Sequence, residues 1–119
     1  MVHELENGLF SGTTRTINFE SNTLPLSYSL FEKDALVVKE FKSKYLTIQK
    51  NDIPYLKVNF ESFVHLGIWT KDKAPFLCIE PWHGYADSID SNGNILEKEA
   101  IQVINENDVF TTSFSIEIL

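Results

Sequence analysis

The feature that most constrains this chain is a strict alternation of polar and apolar residues in several short runs. The alternation occurs at residues 15–20, 45–50, 55–60 and 112–118. Successive side chains of a strand point to opposite faces, so each run has one buried and one solvated face, which is typical of antiparallel sheets. Two further runs, 35–38 and 76–79, are continuously apolar, and they are predicted to be central strands covered on both faces.

Turn signals separate these runs, and they leave little sequence for helices. Asn51-Asp52 precedes a proline, residues 71–75 form a charged connection, and Asn92-Gly93 suits a backbone with positive φ. Only residues 31–34 and 96–100 could form a helical turn. The sequence therefore predicts an all-β protein, an antiparallel β-sandwich, with residues 1–119 in a single unit.

Composition limits the kinds of partner. Seventeen acidic against ten basic residues give a formal net charge of -7, which argues against nucleic acid and anionic membranes. The single cysteine excludes an internal disulfide, and the three histidines lack the spacing of a metal site, so we predict no metal and no cofactor. No apolar run approaches the roughly twenty residues of a membrane span. Without the pattern of a signal peptide at the N-terminus, we expect a cytoplasmic protein.

Glu80 is the most suggestive single residue. Alternation places Phe76, Cys78 and Glu80 on one face of a strand, so Glu80 ends that strand on a face that is otherwise apolar. Pro81 cannot donate a hydrogen bond to a neighbouring strand, so the strand should end or reach a sheet edge there. A carboxylate in this position suits a general acid or base. The alternative is an edge glutamate that simply reaches water.

Aromatic residues lie close to Glu80 in the sequence, with Trp69 before it and Trp82 after it. Flat apolar surfaces beside a few carboxylates are what a sugar site needs, although either tryptophan could instead fill the core. If Leu66 and Ile68 are core residues, His65 and Trp69 share the opposite face. Gly67 between them would then let another group approach closely.

Asp34 and Cys78 have simpler interpretations. Asp34 precedes the apolar run 35–38, so its carboxylate must be hydrogen-bonded, either to the backbone as a turn former or to a ligand. Cys78 is expected to be a small hydrophobic core residue.

Three segments together resemble the aldose 1-epimerase (galactose mutarotase) superfamily. They are FEKDAL at 31–36, GIW at 67–69 and APFLCIEPWHG at 74–84. The match is closest to the bacterial galactose mutarotase-related branch, and it is similar also to hexose-6-phosphate epimerases. The resemblance covers roughly residues 24–119, including LEKEAI at 96–101 and the closing alternating strand.

The resemblance implies a β-supersandwich that interconverts the anomers of a hexose or hexose phosphate by acid–base ring opening. It implies that Glu80 is the base for the anomeric hydroxyl. Asp34 matches a carboxylate that binds sugar hydroxyls, and Trp69 and Trp82 match positions in the cleft wall.

The family's general-acid histidine, with its sugar-binding histidine and arginine, belongs to an earlier part of a longer domain. His3, His65 and His83 match none of those positions. The resemblance therefore implies that residues 1–119 are a C-terminal portion, inactive alone and able to self-associate through exposed sheet edges. The alternatives are a non-catalytic carbohydrate-binding domain and a structural β-sandwich domain.

Overall fold

The computed structural model describes residues 1–119 as an all-β chain, which confirms the predicted fold class. Its eight strands are β1 (Val2–Glu6), β2 (Leu9–Arg15), β3 (Leu36–Val38), β4 (Tyr45–Lys50), β5 (Ile53–Asn59), β6 (His65–Trp69), β7 (Cys78–Trp82) and β8 (Ser115–Ile118). Two short 3₁₀ helices occupy Tyr28–Phe31 and Ile95–Glu97, near the two segments where the sequence predicts helical turns. No helix in the structure is long and apolar enough to span a membrane.

Five strands form the larger sheet, in the order β2-β1-β3-β6-β7, and every neighbouring pair is antiparallel. The central strand β3 is covered on both faces, since Leu36 is 1% and Val37 0% exposed. This confirms the interpretation of residues 35–38. The prediction for residues 76–79 is wrong, because β7 begins at Cys78, lies at the sheet edge and is half-buried throughout.

Pro81 accounts for the position of β7 at the edge. It lies opposite Leu66 in the register of β6 and β7 and has no N–H for a strand on its other side. The edge expected from this proline is therefore confirmed, although the strand continues to Trp82.

The smaller sheet has the order β4-β5-β8 and is also antiparallel. The predicted strands at 45–50 and 55–60 are confirmed, and β8 is shorter than the alternating run at 112–118. Asn51 and Asp52 join β4 to β5 with φ values of 52° and 61°. Positive φ at both positions is the geometry of a two-residue turn that matches the twist of a hairpin.

The predicted strand at 15–20 is wrong. β2 ends at Arg15, whose guanidinium donates a 2.9 Å hydrogen bond to the Leu30 carbonyl. Ile17 then packs against the core, whereas Phe19 is exposed. The alternating pattern therefore lies in a segment outside the regular strands, and only one of its two apolar side chains reaches the core.

The two sheets meet in an apolar cluster formed by Val58, Phe60 and Leu66, with Ile68 packed against it. A second cluster, formed by Val2, Phe31 and Leu36, lies on the same side of the larger sheet and also receives Ile68. The layered arrangement is that of a β-sandwich.

Candidate functional site

The β6–β7 face is the surface of these two strands that points away from the apolar clusters. Leu66 and Ile68 point into the core, so His65 and Gly67 point the other way. Trp69, at the end of β6, follows the same alternation but also packs against the cluster of Val2, Phe31 and Leu36. The cross-strand partners of His65, Gly67 and Trp69 on β7 are Trp82, Glu80 and Cys78, respectively. The structure therefore brings three of the predicted site residues together, and it places Cys78 half-buried on this face rather than in the core.

Glu80 lies at the middle of this face, directly opposite Gly67. Its Oε1 accepts a 3.0 Å hydrogen bond from the indole Nε1 of Trp69. The carboxylate has no ion-pair partner, and Oε2 accepts no hydrogen bond from the protein. A half-buried carboxylate with one oxygen fixed and the other uncommitted can accept a proton from a bound ligand.

Trp82 occupies the close approach that the sequence predicts at Gly67. A Cβ atom added to Gly67 would lie only 2.5 Å from Cη2 of Trp82 and 2.7 Å from its Cζ2. The indole of Trp82 therefore lies over the β6 backbone, beside Glu80, and only glycine leaves room for it there. This ring is one wall of the site.

Asp34 is not brought together with the other three residues. Its φ is 85°, and its Oδ1 accepts a 2.7 Å hydrogen bond from the backbone N–H of Ala35. Its own N–H donates to the carbonyl of Phe31 at 3.1 Å. It lines a separate shallow depression that Glu4 and Lys33 also line. The structure thus shows the turn-forming contact, and the sugar-binding role of Asp34 stays a prediction.

A second polar group at the other end of the β6–β7 face was missed by sequence reasoning. Glu99 is its centre, since the Tyr85 hydroxyl donates to its carboxylate and Lys39 Nζ lies 2.9 Å from its Oε2. His65 Nε2 is 3.6 Å from Oε1 of the same carboxylate, and the rings of His65 and Tyr85 pack edge-to-face at 4.5 Å. Lys39 and Glu99 are sixty positions apart, so no local pattern could have paired them.

Burial is the main influence on the histidines here. Burial lowers the pKa of His65 below its ordinary value of 6.5, and nearby Lys39 adds to that effect while Glu99 opposes it. The pKa of His3 is also lowered, first by burial and then by Lys39. Both imidazoles are therefore neutral at neutral pH.

A cleft of about 410 Å³ opens beside this second group, and Glu80 does not line it. His3, Phe10, Lys39, Tyr85 and the loop after β7 form its walls. Its cations are already paired, since Lys39 contacts Glu99 and Lys98 Nζ lies 2.7 Å from Oδ1 of Asp87. Hydroxyl, amide and carboxylate groups are its remaining polar surface, which suits a neutral ligand rich in hydroxyls.

Comparison with known proteins finds two similar sequences, both of proteins named LacX. The chain is 36% identical over 118 residues to Protein LacX, chromosomal, and equally to Protein LacX, plasmid, both from Lactococcus lactis subsp. lactis. The match covers 96% of this chain and 39% of each relative, so the chain spans about two-fifths of their length. No protein-family model matches the sequence, and no solved structure matches it either.

Proposed function

We propose that this protein has a carbohydrate-related function, as a sugar isomerase of the aldose 1-epimerase type in which Glu80 is the general base. The resemblance of the segments around Asp34, Trp69 and Glu80 supports this proposal, as does the similarity to LacX over nearly the whole chain. In the same proposal, residues 1–119 form a C-terminal portion of the catalytic domain, and the general acid comes from another portion.

The observation that carries the proposal is the state of the Glu80 carboxylate. It lies on the face opposite the apolar core, beside two indole rings, with Oε1 held by Trp69 and Oε2 uncommitted. The Glu80 carboxylate thus combines partial burial, an oxygen fixed by Trp69 and a second oxygen that no protein group occupies.

In the proposed reaction, Glu80 removes the proton from the anomeric hydroxyl while an acid protonates the ring oxygen. The bond between the anomeric carbon and the ring oxygen breaks, and an open-chain aldehyde forms. Rotation about the first carbon–carbon bond followed by the reverse proton transfers gives the other anomer. Both catalytic groups return to their starting states, so no cofactor is consumed.

The substrate proposed is a free hexose, with a hexose phosphate as the alternative. Trp82 would stack against the sugar ring beside Glu80. Arg15 is the only arginine of the chain, and it donates to the Leu30 carbonyl and approaches Glu4 instead of facing Glu80. The residues present thus offer no bidentate phosphate clamp beside the base, and this favours the neutral sugar. We place the protein in the cytoplasm in this proposal.

A non-catalytic carbohydrate-binding domain is the second candidate, and the position of the cleft favours it. The cleft has hydroxyl-rich walls and paired cations, and Glu80 lies outside it. A binding domain would hold a sugar in the cleft without any change in its anomeric form. This candidate would be favoured if every polypeptide that contains this chain binds sugar saturably and none of them interconverts its anomers.

The test measures the rate at which the anomers of glucose and of galactose interconvert. The rate is followed by NMR or polarimetry in the presence of the longest polypeptide that contains this chain. We expect Glu80→Gln to lower the exchange rate by about 10²–10⁴-fold, the usual contribution of a positioned base. The matched control is Glu106→Gln, because Glu106 is exposed and its carboxylate makes no side-chain hydrogen bond or ion pair. Exchange that survives Glu80→Gln at the rate of the control would contradict the assignment.

A further inference from the structure

We infer that Trp69 is a positioning residue for Glu80 rather than a surface on which sugar stacks, an inference that rests on the proposed function of Glu80. The two side chains are diagonal neighbours across β6 and β7, since Glu80 faces Gly67 and Trp69 faces Cys78. Their 3.0 Å hydrogen bond is the only side-chain bond that either residue makes. It joins the proposed base to the strand beside it.

The Trp69 indole is itself held in place by the hairpin that connects β6 to β7. Phe76 packs edge-to-face against the ring at 5.4 Å with an interplanar angle of 86°. The carbonyl of Phe76 accepts a hydrogen bond from Thr70 Oγ1 at 2.5 Å, and Tyr28 donates to the carbonyl of Ala74 at 3.1 Å. The ring therefore has a fixed orientation before any ligand binds.

A fixed indole N–H gives the carboxylate one defined direction. A donor bonded to Oε1 restricts rotation of the Glu80 side chain and leaves Oε2 as the oxygen available to a ligand. Trp69 thus contributes to the orientation of the proposed base without touching the substrate.

Trp82 provides the internal comparison. Its indole lies over Gly67, and its Nε1 makes no hydrogen bond within the protein. It flanks Glu80 on the other side, because residues 80 and 82 point to the same face of β7. The two tryptophans therefore have different roles: Trp69 orients the proposed base, and Trp82 forms a wall of the site.

The first arm of the test measures the bond itself and needs no catalytic activity. With only Trp69 and Trp82 present, the ¹H–¹⁵N spectrum contains two indole N–H signals, which Trp69→Phe and Trp82→Phe assign. We expect the Trp69 signal to shift as the carboxylate titrates, and to lose that shift in Glu80→Gln. The inference would be overturned if the chemical shift of the Trp69 indole signal does not depend on pH, or if it depends on pH in the same way in Glu80→Gln.

The second arm uses anomer exchange in the longest product containing this chain. We expect Trp69→Phe to lower kcat by about tenfold to a hundredfold, as removal of a hydrogen bond to a charged group does, while KM changes little. Trp82→Phe should raise KM instead. A Trp69→Phe variant with unchanged kcat would overturn the inference.

The two arms separate this inference from the proposed function. If no product containing this chain exchanges anomers, the proposed function fails and the positioning role falls with it, whereas the NMR titration still decides whether the bond exists. If exchange requires Glu80 and yet Trp69→Phe leaves it unaltered, the base assignment stands and only the positioning role is wrong.

Discussion

His65 is the residue whose burial has the clearest thermodynamic consequence. It is 4% exposed, and its Nδ1 is buried with no hydrogen-bond partner, while Nε2 faces Glu99. The neutral ring can present one N–H to Glu99 and leave Nδ1 as an unprotonated acceptor. A protonated ring would have to bury a second N–H without a partner, which adds to the cost of burying its charge.

The stability of the fold should therefore decrease on acidification through the histidine range. Burial lowers the pKa of His65 and of His3 in the folded state, so the unfolded chain binds more protons below the ordinary value of 6.5. Stability rises with pH wherever the unfolded state holds more protons, so it is full above that value and is lost as pH falls below it. The charged and titratable groups facing His65 are Glu99, Lys39, Tyr85 and His3.

Urea unfolding at a series of pH values from about 7.5 to about 5 measures this dependence, because the range brackets the ordinary histidine value. We expect His65→Gln to flatten the slope of unfolding free energy against pH, and His65→Gln combined with His3→Gln to flatten it further. Both side chains remain neutral at every pH in the double variant. A double variant that retains the full wild-type slope would contradict the prediction.

At the residue scale, the sequence predicted which side chains share a face but not what they contact. Alternation assigned Leu66 and Ile68 to one face and His65 and Trp69 to the other, and the structure agrees for the first three, whereas Trp69 also packs against the cluster of Val2, Phe31 and Leu36. The bond between Trp69 and Glu80 was not predictable, because it depends on the register that the 70–77 hairpin imposes on β6 and β7. The separation of Asp34 from Glu80 likewise depends on the strand order, since residue 34 precedes β3 and Glu80 lies in β7, two strands away.

At the scale of elements, the β4–β5 hairpin shows how a turn sets a register. Asn51 and Asp52 both adopt positive φ, and Lys50 pairs with Ile53 across the turn. A left-handed conformation costs an ordinary L-residue about 1–2 kcal/mol, less for Asn and Asp, and almost nothing for glycine. The residue types at these two positions therefore contribute directly to hairpin stability.

We expect Asp52→Gly to raise the free energy of unfolding by about 0.5 kcal/mol, because relief of the left-handed strain exceeds the extra entropy of glycine in the unfolded chain. Asp52→Val should lower it by about 1–2 kcal/mol, since a β-branched residue tolerates positive φ poorly. Denaturant titration of the three proteins gives both differences. A glycine variant less stable than the wild type would be inconsistent with the turn geometry.

Alternating runs predicted strands well where a partner strand lay on at least one side. Residues 45–50 and 55–60 satisfy this condition because they pair with each other. The run at 15–20 does not, since the pairing of β2 with β1 ends at Arg15. The apolar run at 76–79 failed for a related reason, because a continuous apolar stretch was interpreted as central when Pro81 left it at an edge.

At the scale of the whole molecule, the chain exposes more surface than its mass predicts. Its solvent-accessible surface is 8839 Å², whereas a folded monomer of 13.7 kDa exposes about 6,600 Å². Its radius of gyration is 15.8 Å, against about 13.5 Å for a compact domain of this length. Only ten of 119 residues are buried. The excess area is larger than the roughly 800 Å² that each partner buries in a standard interface.

The smaller sheet contributes a clear share of this exposed area. In the register of β5 and β8, Leu56 lies opposite Ile118 and Val58 opposite Ile116, so all four side chains share one face. Val58 is buried in the core, but Ile116 is 60% and Ile118 83% exposed. The other edge of β8 also has no strand beside it. An apolar half-face next to an open edge favours association with another strand.

We propose that, in the isolated 119-residue chain, β8 pairs antiparallel with β8 of a second copy about a twofold axis, so that the two apolar half-faces become neighbours on one continuous sheet. The 119-residue chain should then sediment as a dimer at micromolar concentration. Ile116→Lys combined with Ile118→Lys should give a monomer, because four like charges would lie next to each other across the axis. Ser115→Lys is the matched control, since it places a charge on the opposite, polar face of the same strand. Because the control retains the apolar face, it should stay dimeric, and a wild-type chain that is monomeric at every concentration would contradict the proposed pairing.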